Sequence, residues 1–140
     1  MISRKKNEYN CYSSEFWSME LQRIPYGLTV CKVKSLCGFD VNEKFCFAAR
    51  TDEELSLVCR TEDTPSDTVE REDGWKCFRI KGVLDFSLIG ILARITSILA
   101  SGGIGVFAVS TFNTDYILVK SENYERSLEM LASEGYTIIN

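Results

Sequence analysis

The chain has 140 residues, of which 45% are hydrophobic and 26% are charged, with 16 lysines and arginines against 20 aspartates and glutamates and no histidine. This composition is that of an ordinary globular protein and excludes disordered and collagen-like classes. A net charge of −4 argues against a nucleic-acid-binding surface, which needs clustered basic residues. No apolar run approaches the roughly 18 to 20 residues that cross a bilayer, and the first residues do not have the pattern of a secretory signal. We therefore expect a soluble cytoplasmic protein without nucleic-acid or membrane partners.

The cysteines do not point to a catalytic or metal site. No two are spaced as C-x-x-C, and no histidine is available to complete a zinc site, so no metal and no cofactor are predicted. Most lie in apolar runs, where a free cysteine behaves as a small hydrophobic residue. Without histidine, Ser–His and Cys–His catalysis are excluded, and we expect the protein not to be an enzyme. The six are Cys11, Cys31, Cys37, Cys46, Cys59 and Cys77.

The first part of the chain has patterns typical of strands. Residues 1–19 are polar and aromatic without a regular period and are interpreted as an N-terminal arm. Strand patterns follow at residues 28–33, 44–50 and 55–59. Residues 51–54, Thr-Asp-Glu-Glu, have the S/T-x-x-E pattern of a capping box, in which the Thr and Glu side chains would each satisfy a backbone N–H. We expect this box to cap one short turn at most.

An acidic segment at residues 63–73 has almost no apolar residues to bury. It is interpreted as a linker between a first, short unit at residues 20–62 and a second unit at residues 74–140. Its charges are interpreted as solvated rather than as a metal site.

The second unit opens with a strand at residues 75–80 and then an amphipathic helix. Apolar residues recur at i, i+3, i+4 and i+7 from Leu88, and Ser87 is a suitable N-cap for a helix that ends at Gly102. Gly90 falls inside this predicted helix, where glycine costs about 1 kcal/mol relative to alanine. It is interpreted either as allowing close approach of a ligand or neighbouring domain, or as a consequence of tight helix packing.

The rest of the second unit completes a recognisable order of elements. Strands at residues 104–109 and 116–119 are joined by a polar turn. A second helix runs from the cap Ser121 to Gly135 and is predicted to bury Tyr124, Leu128 and Leu131, and residues 136–139 form a last strand. The order β-α-β-β-α-β predicts a ferredoxin-like α+β fold, with an antiparallel sheet and both helices on one face.

The strand at residues 104–109 is apolar on both faces, with Val106 and Ala108 on one side and Phe107 and Val109 on the other. The helices can cover only one face, and a bare face of an antiparallel sheet should carry polar residues. We therefore expect a second domain or subunit to cover the other face, since exposed apolar patches typically mark interfaces.

Two segments of the second unit resemble the ACT domain of the aspartokinase-related type. They are residues 84–92, Leu-Asp-Phe-Ser-Leu-Ile-Gly-Ile-Leu, and residues 105–119, which begin Gly-Val-Phe-Ala-Val-Ser-Thr. Residues 27–31 and 51–59 are similar to the first half of small stand-alone proteins with tandem ACT domains. The resemblance implies two ferredoxin-like units in tandem and a non-catalytic regulatory protein. It also implies an amino acid bound at an interface between ACT domains, and a homodimer or higher homo-oligomer.

The resemblance also places the ligand contacts. A free amino acid needs an anion site for its carboxylate, which a helix N-terminus supplies, and a carboxylate for its ammonium group, which Asp115 supplies. Each has a structural interpretation too: Ser87 as the helix cap and Asp115 as a turn residue that holds an Asx hydrogen bond. The predicted ligand-binding residues are Asp85, Phe86, Ser87, Leu88, Ile89, Gly90, Ile91, Thr111, Phe112 and Asp115.

The alternative function is a structural module that drives oligomerisation or docks a partner protein without a ligand. The apolar second face of the sheet supports this alternative as strongly as it supports ligand binding. Chemistry that uses only the carboxylates of Asp85 and Asp115 is disfavoured, because nothing in the sequence pairs them.

Overall fold

The computed structural model describes residues 19–81 and 89–140. Short 3₁₀ turns occur at Thr61–Asp63 and at Ser121–Asn123. No helix in the described part of the chain is long and apolar enough to span a bilayer. The strands and helices, in chain order, are β1 Glu20–Lys32, β2 Cys46–Arg50, β3 Leu55–Arg60, β4 Glu70–Ile80, α1 Ile91–Ser101, β5 Phe107–Ser110, β6 Asp115–Lys120, α2 Tyr124–Ser133 and β7 Thr137–Ile139.

The chain forms two compact units. The two-helix unit comprises Met1–Ile24 and Cys77–Asn140, and the strand unit comprises Pro25–Lys76. Strands β1 and β4 each contribute residues to both units. These bounds differ from the sequence-based division at residues 63–73, and whether each unit is a separate ACT repeat stays a prediction.

The sheet of the two-helix unit has the strand order β7-β1-β4-β6-β5. β5 and β6 form an antiparallel hairpin, whereas β7 pairs with β1 in parallel, with Leu21 opposite Ile138. The Lys81 N–H donates to the Glu20 carbonyl at 3.0 Å on the other side of β1. The unit is therefore α+β as predicted, but its sheet is mixed, because the start of β1 lies between the last strand and β4.

The core of the two-helix unit lies under the apolar stripes of both helices. Residues one turn apart in α1 and in α2 are buried, as the periodicity predicted. Leu21 of β1 belongs to the same core although it is distant in sequence. The buried members are Leu21, Phe78, Ile80, Ile91, Ile95, Leu99, Ile104, Ile117, Val119, Tyr124, Leu128, Leu131 and Tyr136.

Helix α1 begins at Ile91 and not at Leu88. Gly90 is its N-cap and has a φ of 82°, a left-handed conformation that cannot continue a right-handed helix. The prediction that Gly90 lies inside the helix and that Ser87 caps it is therefore wrong for α1, and Ser87 itself lies outside the described residues. The C-terminal end agrees with the prediction, with Gly102 as C-cap.

Helix α2 begins at Tyr124, later than the predicted cap Ser121, which instead opens a 3₁₀ turn. The N-cap of α2 is Asn123, whose carbonyl accepts a hydrogen bond of 2.7 Å from the Ser127 hydroxyl. The buried face of the helix is the predicted one.

The strand unit consists of β2, β3 and the parts of β1 and β4 that fall within it. β3 pairs antiparallel with β2 and with β1. All of Pro25–Lys76 is described, and it contains no α-helix. Its core includes Cys31, Leu57 and Cys59, against which Leu36 and Phe39 of the β1–β2 connection pack. A loop thus covers one face of the sheet in the strand unit.

The predicted capping box at residues 51–54 forms only in part. The Thr51 hydroxyl accepts hydrogen bonds from the Glu53 and Glu54 N–H groups at 3.1 and 3.2 Å. The Thr51 N–H, however, donates to the carbonyl of Glu54 at 2.9 Å, not to its carboxylate. The segment is the turn of the β2–β3 hairpin, because a strand and not a helix follows it.

The acidic residues of the predicted linker have structural partners. Asp63 bonds Arg60 at 3.0 Å and Lys44 at 3.4 Å, and the hydrogen bond from Arg60 is the main cause that lowers the pKa of this carboxyl group. Asp73 accepts a hydrogen bond of 2.7 Å from the buried hydroxyl of Thr29. Residues 63–73 are thus part of the strand unit, and β4 already begins at Glu70.

Candidate functional site

The N-terminus of α1 has the features of an anion site. Among the described residues no side chain caps it, and its first turn contains no acidic residue. The first intrahelical bond runs from the Arg94 N–H to the Gly90 carbonyl at 2.9 Å, so the preceding N–H groups have no acceptor within the helix. These groups and the positive end of the helix dipole favour a negatively charged ligand.

The predicted ligand loop at residues 85–91 is described only in its last part. Asp85, Phe86, Ser87 and Leu88 lie outside the described residues. The side chain of Ile89 is 92% exposed, whereas that of Ile91 is 5% exposed and packs in the core. Ile91 would therefore contact a ligand through its backbone N–H and not through its side chain, and its assignment as a ligand-binding residue stays a prediction.

The β5–β6 hairpin is held by two threonines. The Thr111 N–H and hydroxyl both donate to the Thr114 carbonyl, at 2.9 and 3.0 Å. The buried hydroxyl of Thr114 donates to the Ile80 carbonyl at 2.8 Å, which attaches the turn to the end of β4. The Thr111 hydroxyl thus donates its only proton within the turn, so it could serve a ligand only as an acceptor.

Asp115 lies at the start of β6, opposite Ser110 in the hairpin register. Its Oδ1 accepts a hydrogen bond of 2.6 Å from the Ser110 hydroxyl, and the residue is half-buried. Asp115 therefore stabilises the hairpin, as the structural interpretation expected, but through a cross-strand bond and not an Asx turn. Its Oδ2 accepts no hydrogen bond from the described residues and is available to a cation.

The core connects the two halves of this site. Ile91, at the N-terminus of α1, packs in the same core cluster as Ile80 of β4 and Ile117 of β6. The β5–β6 turn is hydrogen-bonded to the Ile80 carbonyl. At the end of the hairpin, the side chain of Phe112 is 80% exposed, so the turn presents a large apolar surface to solvent. The structure thus places the helix tip, Thr111, Phe112 and Asp115 in one unit.

Two features of this unit are not evident from the sequence analysis. One is the left-handed Gly90 at the helix start, for which the glycine itself was the available signal. The other is Arg79, which donates hydrogen bonds to Gln22 and Tyr116. Its signal was a charged residue within the apolar strand Cys-Phe-Arg-Ile, but the partners come from distant segments.

The thiols of the four described cysteines that are buried or half-buried are poor nucleophiles. Burial raises the pKa of Cys77 to about 12 and that of Cys31 to about 11. Burial is also the main cause that raises the pKa of Cys46 and of Cys59. Because the thiolate is the reactive form, these groups agree with the structural interpretation of the cysteines. Across residues 19–81 and 89–140, no cluster of three or more potential metal ligands occurs.

Known proteins resemble the chain in sequence and in fold. The sequence pattern of the ACT domain family matches residues 70–133. The crystal structure of protein Atu0741 from Agobacterium tumefaciens is 30% identical, with a TM-score of 0.78 over 87% of this chain and 92% of that one. The chain belongs to the ACT-domain proteins. As ACT domains are regulatory domains, it carries a module of the regulatory type.

More distant structures share the fold of this ACT-domain protein. VC0802 from Vibrio cholerae, a protein of unknown function and possible transport protein, is 18% identical, with a TM-score of 0.71 over 91% of this chain and 98% of that one. The regulatory subunit of aspartate kinase from Thermus thermophilus is 8% identical, with a TM-score of 0.59 over 81% and 95%. No protein in the curated set matches the chain.

Proposed function

We propose that the chain is a non-catalytic, cytoplasmic regulatory protein that binds a free amino acid at an interface between ACT domains. The observation that carries the proposal is the N-terminus of α1 in an ACT domain, which no described side chain caps and which is attached to the same core as the hairpin that bears Asp115. The helix tip would bind the ligand carboxylate, and Oδ2 of Asp115 would accept a hydrogen bond from its ammonium group. Asp85, Phe86, Ser87 and Leu88 stay predicted contacts.

The exposed apolar side chains fit the remainder of such a site. Ile89 and Phe112 are 92% and 80% exposed, and both belong to the predicted ligand-binding segments. Covering them with a ligand or with a neighbouring ACT domain would be favourable, because apolar surface is removed from water. We propose a homodimer or higher homo-oligomer for this reason.

A repeated hairpin supports the proposal that the ACT domains are in tandem. β2 and β3, like β5 and β6, form an antiparallel hairpin that is followed by a 3₁₀ turn. Thr51 and Thr111 open the two connecting turns in the same way, each through an N–H bond of 2.9 Å to the carbonyl three residues later. The strand unit would then be a first ACT repeat whose helices are replaced by loops.

Thermal unfolding against the twenty amino acids tests the proposed ligand class. A ligand at about 100 times its Kd should add about 2.7 kcal/mol to the free energy of unfolding. Asp115→Asn should remove this effect while the protein still folds, since the amide oxygen can still accept the Ser110 bond. Asp52→Asn, in the exposed turn of the other hairpin, is the matched control and should keep the effect. The absence of any shift at millimolar amino acid would contradict the proposal.

The alternative is a docking module that needs no ligand. Phe107 and Val109 are half-buried and, by the hairpin register, lie on the same face as Tyr116 and Leu118. Under this alternative, light scattering should detect assembly that depends on protein concentration and is unchanged by the best-stabilising amino acid. A ligand-dependent change in mass would favour the sensing function.

A further inference from the structure

Arg79 is a charged residue in the middle of an otherwise apolar part of β4. Its neighbours Phe78 and Ile80 are buried in the core under the helices. Because side chains alternate between the faces of a strand, Arg79 lies on the face opposite the helices. It is half-buried there.

Two neutral groups fix the orientation of its guanidinium. Nε donates to Oε1 of Gln22 at 2.9 Å, and Nη1 donates to the hydroxyl of Tyr116 at 3.1 Å. The guanidinium carbon also lies 5.9 Å from the centre of the Tyr116 ring. Neither acceptor carries a charge, and Nη2 donates no hydrogen bond to the described residues. The group is therefore oriented but not neutralised.

Each of the other half-buried arginines among the described residues forms a salt bridge with a carboxylate. Arg23 pairs with Glu125 at 2.7 Å, Arg60 with Asp63 at 3.0 Å, and Arg94 with Glu134 at 3.8 Å. Within residues 19–81 and 89–140, no carboxylate lies within 4.0 Å of Arg79. Partly burying a charge without a counter-charge is unfavourable, so this position would gain from an anion supplied from outside.

Apolar and aromatic residues share the sheet face on which Arg79 lies. Val109 lies opposite Tyr116 and Phe107 opposite Leu118 in the hairpin register, so these side chains share its face. Small-molecule sites in proteins are lined mainly by apolar and aromatic side chains, with a few oriented polar groups that fix the ligand.

We propose that Arg79, positioned by Gln22 and Tyr116, is the anchor of a second ligand site that binds the carboxylate of a small organic acid. The planar fork of a guanidinium matches the two oxygens of a carboxylate, and such charge-assisted hydrogen bonds are stronger than hydrogen bonds between neutral groups. Asp115 lies on the other face, since it alternates with Tyr116 along β6. The site is therefore separate from the proposed amino-acid site and does not depend on it.

Nuclear magnetic resonance of the ¹⁵N-labelled full chain tests this proposal, with acetate as the probe. Chloride keeps the ionic strength constant, and acetamide serves as the uncharged analogue. We expect saturable shifts of the Arg79 Nε–H and the Tyr116 backbone amide with acetate and none with acetamide. Arg79→Gln should weaken acetate binding by about 10- to 100-fold. Arg50→Gln, which removes an exposed arginine, should leave it unchanged.

Three outcomes would overturn the proposal. The first is the absence of saturation at Arg79, and the second is equal binding by wild type and Arg79→Gln. The third is that a second copy of the chain supplies the carboxylate. In that case sedimentation would show that the wild type forms oligomers and that the Arg79→Gln variant does not. Arg79→Lys keeps the charge without the fork, so it provides a folded variant, and its weaker acetate binding would support the proposal even where Arg79→Gln fails to fold. The acetate titration does not depend on whether amino acids stabilise the protein or on whether Asp115→Asn removes that stabilisation.

Discussion

At the scale of single residues, one buried hydroxyl links the helices to the sheet. Tyr124 opens α2, is 2% exposed, and donates a hydrogen bond of 2.7 Å to the Cys77 carbonyl. Burial raises the pKa of Tyr124 to about 12, although the nearby Arg23 acts in the opposite direction. In the unfolded chain the phenol ionises near a pKa of about 10. Its contribution to stability is therefore present below about pH 10 and is lost as the pH rises through about 12.

Replacing this tyrosine should change both the stability and its pH dependence. We expect Tyr124→Phe to lower the free energy of unfolding by about 1 to 2 kcal/mol at neutral pH, because the buried hydrogen bond to the Cys77 carbonyl is lost. Between about pH 10 and 12 the variant should lose less stability than wild type. Urea unfolding at several pH values measures both effects. Tyr26→Phe is the control, as this half-buried residue makes no hydrogen bond through its hydroxyl with the described residues. An equal effect in that variant would contradict the assignment.

At the scale of elements, the start of α1 depends on a backbone conformation and not on a capping side chain. Hydrophobic periodicity extends back to Leu88, yet the helix begins at Ile91, because Gly90 has a φ of 82°. No side chain of the described residues caps the first N–H groups of α1, which is the basis of the proposed carboxylate site. The same glycine thus determines where the helix begins and which N–H groups would form the proposed carboxylate site.

Gly90→Ala should destabilise the protein by about 1 to 2 kcal/mol, the usual penalty for a left-handed conformation outside glycine. A Cβ at this position would meet no atom within 4 Å, so the effect comes from the backbone and not from a clash. Gly105→Ala is the matched control, with equal space and no positive φ, and should be close to neutral. Urea unfolding of both variants checks this. A neutral or stabilising Gly90→Ala would mean that α1 can extend back toward Leu88 after all.

At the scale of the whole molecule, the two-helix unit requires the first residues of β1, which precede the strand unit in the chain. Leu21 of β1 is fully buried in the core under the helices, and β1 lies between β7 and β4. Residues 77–140 therefore lack a central strand and part of their own core. Deleting the beginning of the chain would remove both.

Leu21→Ala should lower the free energy of unfolding by about 2 to 5 kcal/mol, as expected for a large-to-small change in a core. Val41→Ala in the strand unit, where the valine is 45% exposed, should change it by less than about 0.5 kcal/mol. Circular dichroism of a fragment of residues 77–140 should show no cooperative unfolding, whereas residues 19–140 should unfold cooperatively. A stably folded short fragment, or equal effects of the two substitutions, would show that β1 is dispensable.

The sequence by itself determined the order of the elements in the second half of the chain, the buried faces of both helices, and the α+β class of an ACT domain. These follow from local periodicity and from glycines at helix ends, which depend on near neighbours. Only the tertiary structure decided that Gly90 ends the helical pattern, that β1 lies between β7 and β4, and that Arg79 meets Gln22 and Tyr116. Those features depend on contacts between residues far apart in the chain, or on a backbone angle that competing local preferences leave open.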